Sequence, residues 1–477
     1  MGYTNKQSKR SIEWLTQVFN NQLYKSRLGG ITNRLDLHLS NYQHIFKSKT
    51  KRFYNKAQVW CKGVFMSELS NIERISEEMD FDYHQMQHFI TESEWDSRSL
   101  LDQVSIEVSR LLPKRKLTGL IIDETGWVKK GTKSVGVGHQ YCGNVGKVSN
   151  SQVAVLGCLS NGDFASAVDA RLYLPEDWCN DPVRCEHAGI PQEHRRFQTK
   201  SEIALEMVRH QIELGTSFDF VGGDGYYGND LDLAEGIESL GLLYMLDIHS
   251  DLTIFTEFPH LEVPARKSSR GRTPTKVKPT TPGIRTDKYM ESLTPDQWMT
   301  LTVRNTAKGE LKGNYHFKRV YIWDKDTNRI LPRLLVIRCT VSPQGEEQFK
   351  YSFTNANLEQ YTPQGIAYMQ AQRFFVEHCI KENKQILGMD QYQTRKWLAW
   401  QHQIALNFLV SSFLLKEKLE SFQQLPLLSA RDIKDLLVFK LHRQMTEEQM
   451  YEKMFNRHLR RQRDINYAYY KQEKEIC

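Results

Sequence analysis

Two aspartates in the 477-residue chain each close an apolar run and are followed by glycine within a few residues. Asp123 stands in IIDETGW and Asp224 in VGGDGYYG. In an open α/β sheet, ligands and catalytic groups collect at the carboxyl ends of the strands. Two aspartates side by side there repel each other and favour a divalent cation. A lone aspartate after a strand is more often a turn residue or an N-cap, so the pair needs support from elsewhere in the chain.

A third acid stands in a helical pattern, YMQAQRFFVEHCIKENKQIL. Arg373, Glu377 and Lys384 are separated by four and seven residues, which places them within roughly 40° of one helix face. An Arg–Glu pair at this spacing is often only a surface salt bridge. Its combination with the two strand-end aspartates, in this order, is more specific than any of the three features alone.

The elements that must position these residues follow from the hydrophobic periodicity. Residues 1–112 are predicted to be mostly helical, and Leu112-Pro113 ends that part. The order that follows is three antiparallel-capable strands, helix, strand, helix and strand, with a turn expected directly after Asp123. That order is typical of a mixed sheet with helices on its faces. Strand-like segments then dominate until about 355, and helix returns from 363 to the end.

The formal net charge of +7 is unevenly distributed. Residues 1–62 hold twelve Lys and Arg against two acids, and residues 259–288 hold eight against two. The rest of the chain is therefore net acidic. Concentrated positive charge indicates a polyanionic partner, most often nucleic acid, although either segment alone could be an ordinary solvated face.

Membranes and zinc are disfavoured by the sequence. The first ten residues, MGYTNKQSKR, lack an apolar signal region, and the most apolar stretch, 404–415, is too short to span a bilayer. We expect a cytoplasmic, nucleoid-associated protein with reduced cysteines and no membrane partner. Cys179, Cys185, His187 and His194 lie close together in sequence, but their spacing matches no common zinc pattern.

Several segments resemble the bacterial DDE insertion-sequence transposases, cut-and-paste enzymes with a ribonuclease-H-like core. The resemblance covers most of 50–415. In the family's helix signature Y-x2-R-x3-E-x6-K, this chain supplies the arginine, glutamate and lysine, while Gln370 occupies the tyrosine position. The segments that carry the likeness are IIDETGWVKKGTKSVGVGHQY (121–141), RLYLPEDW (171–178), AGIP (188–191) and MDQYQTRKWLAW (389–400).

The resemblance implies an α/β ribonuclease-H-like core, a mixed sheet flanked by helices, interrupted by an inserted β-rich domain and framed by helical regions. We expect a helical DNA-binding region over 1–112 and the first part of the catalytic core over 113–249. The β-rich insertion domain would cover 250–355, with the basic loop 259–288. The second core part, with the glutamate helix, would cover 356–420, and a C-terminal helical region 421–477.

The resemblance also implies the chemistry. Asp123, Asp224 and Glu377 would bind two Mg²⁺ ions, for which Mn²⁺ can substitute, and cut DNA by phosphodiester hydrolysis before the 3′-hydroxyl ends are joined to target DNA. The expected partners are double-stranded DNA, as terminal inverted repeats and as target, and a second copy of the chain in a homodimer. Phosphate contacts are expected from Arg373, Lys384, Lys129, Lys130, Lys133, Lys49, Lys51 and Arg52, and base stacking from Trp298 and Trp323.

Other functions stay open from the sequence. A catalytically silent or domesticated DNA-binding protein could keep the same fold, but the presence of all three acids argues against it. Another ribonuclease-H-like DNA nuclease, such as a junction resolvase, is disfavoured by the arginine and lysine of the glutamate helix and by the size of the insertion. An unrelated hydrolase with paired carboxylates would have no use for the basic segments.

Overall fold

A ten-stranded mixed sheet with helices on its faces organises the protein. The computed structural model describes residues 22–114, 116–162, 164–266, 274–306, 309–342, 344–425, 427–442 and 446–476. The mixed sheet flanked by helices is the architecture predicted from the sequence, and it is consistent with a ribonuclease-H-like core. Across the described ranges, no helix combines the length and apolar character needed to cross a bilayer.

The N-terminal part is helical, as its periodicity predicts, apart from one small hairpin. Side chains of Asn71, Asp82 and Asp96 accept hydrogen bonds from the backbone at three of its helix starts, which satisfies donors left open there. The elements are α1 (Gln22–Gly29), α2 (Ile31–Ser40), β1 (Lys47–Ser48), β2 (Lys51–Arg52), α3 (Tyr54–Met66), α4 (Ile72–Glu78), α5 (Tyr83–Thr91) and α6 (Ser97–Leu111).

The core strands follow the predicted order except that four antiparallel strands, not three, precede the first helix. They are β3 (Gly119–Val128), β4 (Gly138–Cys142), β5 (Lys147–Asn161), β6 (Phe164–Leu172), β7 (Phe220–Gly223) and β8 (Leu243–Asp247). Strand β5 lies between β3 and β6 and pairs antiparallel with both, whereas β7 pairs parallel with β3 and with β8. The carboxyl ends of β3, β7 and β8 therefore point to the same edge of the sheet.

Five helices connect the core strands. The longest of them, at Lys200, begins with a capping box in which Thr199 and Glu202 each bond to the other's backbone N–H. A very short helix follows β7 directly, so the chain turns immediately beyond that strand's end. The helices are α7 (Glu176–Cys179), α8 (Pro182–Ala188), α9 (Lys200–Glu213), α10 (Gly225–Gly228) and α11 (Leu231–Ser239).

The β-rich block does not form a separate sheet. Strand β16 pairs antiparallel with β8, so its long strands continue the core sheet in the order β8-β16-β15-β14-β13. The sheet is therefore continuous across the boundaries predicted at 249 and 355. The division of the chain into domains stays a prediction. The elements are β9 (Thr253–Ile254), β10 (Leu261–Glu262), β11 (Lys278–Pro279), β12 (Ile284–Arg285), α12 (Thr286–Glu291), β13 (Met299–Thr306), β14 (Gly309–Asp324), β15 (Arg329–Val341) and β16 (Glu347–Thr354).

Four helices complete the chain: α13 (Pro363–Gln385), α14 (Trp397–Ser421), α15 (Ala430–Leu441) and α16 (Glu447–Ile476). Helix α13 lies against β3, β5, β6 and β7, and α14 packs between β6 and the N-terminal helices. The apolar stretch 404–415 is buried within α14 and so forms part of the core. Bidentate bonds from Arg34 to Glu417, at 2.8 and 2.7 Å, fasten α2 to α14.

Candidate active site

Asp123 lies in the middle of β3 and does not end it. The sequence predicted a turn directly after Asp123, but the strand runs on to Val128 because β5 keeps pairing with it, from Asp123 opposite Leu156 to Val128 opposite Ser151. The parallel pairing with β7 ends earlier, at Ile121. The carboxyl group therefore stands at the point where β3 separates from β7.

Asp224 lies directly beyond the neighbouring strand, β7. Its Oδ1 accepts a hydrogen bond from the backbone N–H of Tyr226 at 3.0 Å and so caps α10. The N-cap interpretation of this residue is therefore correct as far as it goes. It does not exclude chemistry, because the carboxylate of Asp224 also interacts electrostatically with that of Asp123.

The third acid, Glu377, reaches the same cluster from α13. Its Oε1 accepts an ion-pair contact at 2.9 Å from Nη2 of Arg373, one turn earlier, and half of its side chain is exposed. The other guanidinium nitrogen of Arg373, Nη1, contacts Oδ2 of Asp247 at 3.1 Å. The predicted helix face therefore does look onto the strand ends.

The electrostatics tie these residues together. Burial raises the pKa of Asp123 to about 7. The carboxylates of Asp224 and Glu377 add to that rise, and the Arg373 guanidinium opposes it. Burial lowers the pKa of Arg373, but the carboxylates of Asp123, Asp247 and Glu377 outweigh it and raise that pKa overall. A carboxylate whose pKa lies near neutrality through burial and acidic neighbours is typical of a functional site.

The donor chemistry of the cluster suits a hard divalent cation, because carboxylate oxygens are the ligands that Mg²⁺ and Mn²⁺ prefer. The ligand set is nevertheless not gathered in this conformation. Within the described ranges, no three His, Cys, Asp or Glu side chains lie close enough to hold one ion, and this includes the Cys179–His194 segment. At the acidic cluster, Arg373 contacts the glutamate that would have to complete the set.

Three further residues beside the cluster were missed by the sequence reasoning. Glu124 pairs with Lys200 at the start of α9, and burial raises the pKa of the Glu124 carboxyl against the opposing charge of Lys200. Asp247 ends β8 in LLYMLDI, the same strand-end pattern that identified Asp123 and Asp224. That signal could have found Asp247, whereas nothing in the sequence distinguishes Lys200 from an ordinary first-turn residue.

Two of the predicted phosphate-binding lysines are partly buried and donate to backbone carbonyls, and the other two are exposed. Nζ of Lys384 donates to the Gly126 carbonyl at 3.3 Å, and burial lowers its pKa. Lys129 donates to the Tyr392 carbonyl at 3.2 Å and lies over that ring, and burial lowers its pKa to about 8. The other two predicted contacts, Lys130 and Lys133, are exposed.

The basic N-terminal segment divides into internal and exposed charge. Arg27 and Arg34 pair with Glu417, and Lys62 pairs with Asp36 at 2.6 Å, so these cations are partly neutralised within the fold. The exposed charge lies around the β1–β2 hairpin, where the predicted DNA contacts Lys49, Lys51 and Arg52, hereafter the hairpin cluster, all face solvent. Lys6, Lys9 and Arg10 lie outside the described residues.

The two tryptophans predicted to stack on bases are not gathered at the acids. Trp298 precedes β13 and packs beside His316 and Phe349, with ring centroids 6.1 and 6.3 Å away. Trp323 lies in β14, and β15 and β16 separate that strand from β8. Both side chains are partly buried.

A cavity of about 750 Å³ opens at the other end of β3 and is lined by Leu117, Asp219 and Tyr368, among others. None of the three predicted acids lines it. The acidic cluster lies at the opposite edge of the sheet, where half of the Glu377 side chain is exposed.

Comparison with known proteins agrees with this geometry. The family model described as DDE superfamily endonuclease matches residues 44–310, more than half of the chain, and ends before α13. A probable transposase for insertion sequence element IS701 from Microchaete diplosiphon is 31% identical over 169 residues, which are 35% of this chain and 40% of that relative. The piggyBac transposase in a synaptic complex with hairpin DNA aligns over 90% of this chain and 82% of its own, with 9% identity and a TM-score of 0.33, too low to bear on the fold.

Proposed function

The chain belongs to the DDE superfamily endonucleases, and we propose that it is a DNA transposase that cuts and joins DNA at the Asp123–Asp224–Glu377 cluster. Its substrates would be the terminal inverted repeats of its own insertion sequence and a target duplex. It would act as a homodimer that pairs the two ends, in the cytoplasm on the nucleoid. The chain matches only 40% of the transposase relative's length. The proposed cutting and joining of DNA is therefore argued from the residues of the acidic cluster.

One observation supports the proposal: Asp123 within β3, Asp224 directly beyond β7 and Glu377 in α13 interact electrostatically, and Arg373 interacts with all three. Burial raises the pKa of Asp123 to about 7, and the neighbouring carboxylates of Asp224 and Glu377 add to that rise while Arg373 opposes it. A fold that keeps such a cluster at an open edge is suited to hold positive charge there. Divalent ions are the cations whose chemistry fits carboxylate ligands.

In the proposed mechanism, Asp123 would contact both ions, and Asp224 and Glu377 one each. Two bound divalent ions activate an oxygen nucleophile and stabilise charge on the leaving oxygen of a phosphodiester. Asp123 serves this role only after losing its proton, which occurs near neutral pH in the free protein. The N-cap bond from Tyr226 holds one oxygen of Asp224 and leaves the other available.

The cations around the cluster would bind the DNA backbone. Arg373 can present a planar fork to a phosphate once Glu377 has been released, and Lys384 offers a point charge from the same helix. Lys129, Lys130 and Lys133 follow Asp123 in sequence and would track the strand beyond the cut. The hairpin cluster would add contacts that position the duplex without reading its sequence.

A cleavage assay tests the proposal. DNA carrying the ends that flank the gene is incubated with the full chain and Mg²⁺, and nicked and joined products are separated on denaturing gels. Wild type should cut, whereas Asp123→Ala, Asp224→Ala and Glu377→Ala should reduce cutting by at least about a thousandfold while binding the same DNA. Binding without cutting by wild type would instead indicate the silent DNA-binding protein. Equal cutting by all four proteins would remove the three acids from the mechanism.

A further inference from the structure

Asp247 is a buried carboxylate that the proposed chemistry leaves unused. It ends β8, next to the strands that carry the acidic cluster, and only 9% of its side chain is exposed. Its Oδ1 accepts a hydrogen bond from Ser352 Oγ at 2.7 Å. Its Oδ2 contacts two cations, Nζ of Lys350 at 2.9 Å and Nη1 of Arg373 at 3.1 Å. Asp247 is thus fully engaged with partners and not with the cluster itself.

The position of Asp247 is fixed from two directions. Ser352 lies opposite it in the β8–β16 pairing, and Nε2 of Gln370, one turn before Arg373 on α13, donates to the same hydroxyl at 2.9 Å. All three of these residues are buried. The acceptor that Asp247 offers to the arginine is therefore preorganised by the sheet and the helix together.

Arg373 consequently has partners on two sides. One nitrogen of its fork contacts Asp247 and the other contacts Glu377 at 2.9 Å, and the guanidinium also interacts electrostatically with Asp123. A mostly buried guanidinium has to keep acceptors, because leaving a buried charge uncompensated is strongly unfavourable. If Asp247 is removed, the acids that remain as partners of Arg373 are Asp123 and Glu377, and these are the proposed ligands of the divalent ion.

We propose that Asp247 is a positioning residue that acts through Arg373: it holds one nitrogen of the guanidinium at β8 and so limits the competition of Arg373 with a divalent cation for Glu377. This inference rests on the proposed function, because it assumes that the cluster binds such an ion. Without Asp247, Arg373 pairs fully with the acids of the cluster and competes with the ion for them. Lys350 weakens the retention by sharing Oδ2 of Asp247.

Binding of Mn²⁺ to the full chain, followed by the electron paramagnetic resonance signal of the free ion, tests this without DNA or turnover. Asp247→Asn should raise the half-saturating Mn²⁺ concentration about tenfold, as expected for neighbours in one charge network. In an Arg373→Gln background the same substitution should change it less than about twofold. Lys350→Met, at a more exposed position, should lower the half-saturating Mn²⁺ concentration about threefold when Arg373 is present. In the Arg373→Gln background it should leave that concentration unchanged.

Controls separate the inference from a general charge effect. If Asp247 acted only through space, its fold-change would be the same with and without Arg373, and that result overturns the positioning role. Asp169→Asn, at a buried ion pair with Arg98 elsewhere in the sheet, should leave Mn²⁺ binding unchanged.

The same titration distinguishes failure of the inference from failure of the proposed function. If Glu377→Gln weakens Mn²⁺ binding but the Asp247 effect does not depend on Arg373, only the positioning role fails. If wild type binds no Mn²⁺, or Glu377→Gln has no effect, the metal site itself fails and the inference falls with it.

Discussion

Neutralising Asp123 should stabilise the metal-free protein, although an active-site residue is removed. Burial and acidic neighbours raise the pKa of Asp123 from 3.8 to about 7. Ionising this carboxyl therefore costs free energy in the native state but not in the unfolded chain. At 1.36 kcal/mol per pH unit, the raised pKa corresponds to about 4 kcal/mol, an upper bound because partial solvation reduces it.

The sign determines the pH window. A raised carboxyl pKa means that the native state retains the proton between pH 4 and 7 while the unfolded state has lost it, so wild type loses stability as pH rises through this range. Asp123→Asn resembles the protonated acid and avoids that loss. Its advantage should therefore be small near pH 4, grow up to about pH 7 and level off above it.

Urea unfolding in EDTA, followed by tryptophan fluorescence at pH 4.5, 6 and 8, measures this. Asp169→Asn is the matched control, because Asp169 lies in the same sheet but pairs with Arg98 at 2.7 Å, and its pKa is lowered against the effect of burial. That variant should lose stability by a similar amount at all three pH values, because an acid with a lowered pKa is ionised in the native and the unfolded state from about pH 4.5 upwards. If Asp123→Asn is destabilised at all three pH values, as the control is, then Asp123 has no unfavourable charge environment and the reasoning fails.

Three other predictions concern the scaffold and the DNA. Arg34→Met should lower the free energy of unfolding by about 2–3 kcal/mol in urea titrations, because it removes both close bonds to the buried Glu417 carboxylate and leaves only the longer contact with Arg27. Arg431→Met, at an exposed pair, should cost less than about 0.5 kcal/mol. Gly228→Ala should lower the melting temperature, because a Cβ there overlaps a backbone carbonyl oxygen of β8, whereas Gly143→Ala meets open space and should be neutral. Replacing the three residues of the hairpin cluster by glutamine should reduce the slope of log affinity for DNA against log salt by about three, and an unchanged slope would place those side chains away from DNA.

Much of the site was predictable because local patterns encode it. The strand-end rule selected Asp123 and Asp224, although β3 continues past Asp123, and helical spacing placed Arg373, Glu377 and Lys384 on one face of a helix that the structure confirms. The same strand-end rule, applied to LLYMLDI, would have found Asp247. These signals need only a few consecutive residues and their periodicity.

The remainder depends on pairings between distant segments. Strand β3 continues past Asp123 because β5 continues beside it, and the β-rich block joins the core sheet because β16 pairs with β8. The contact of Arg34 with Glu417 joins residues 383 positions apart, so the sequence could count the N-terminal charge but could not show which cations are neutralised internally. The contact between Arg373 and Glu377 was visible as spacing, but its link to Asp247 was not.

Exchange of a predicted metal ligand for a thiolate tests the central claim most directly. Asp224→Cys replaces a hard oxygen by a soft sulfur, which Mg²⁺ binds poorly and Mn²⁺ binds better. In the cleavage assay on the element's own ends, this variant should be inactive with Mg²⁺ and recover activity with Mn²⁺, while Asp224→Ala stays inactive with both. Full activity of Asp224→Cys with Mg²⁺, or no recovery with Mn²⁺ by a variant that still folds and binds DNA, would contradict metal ligation by Asp224.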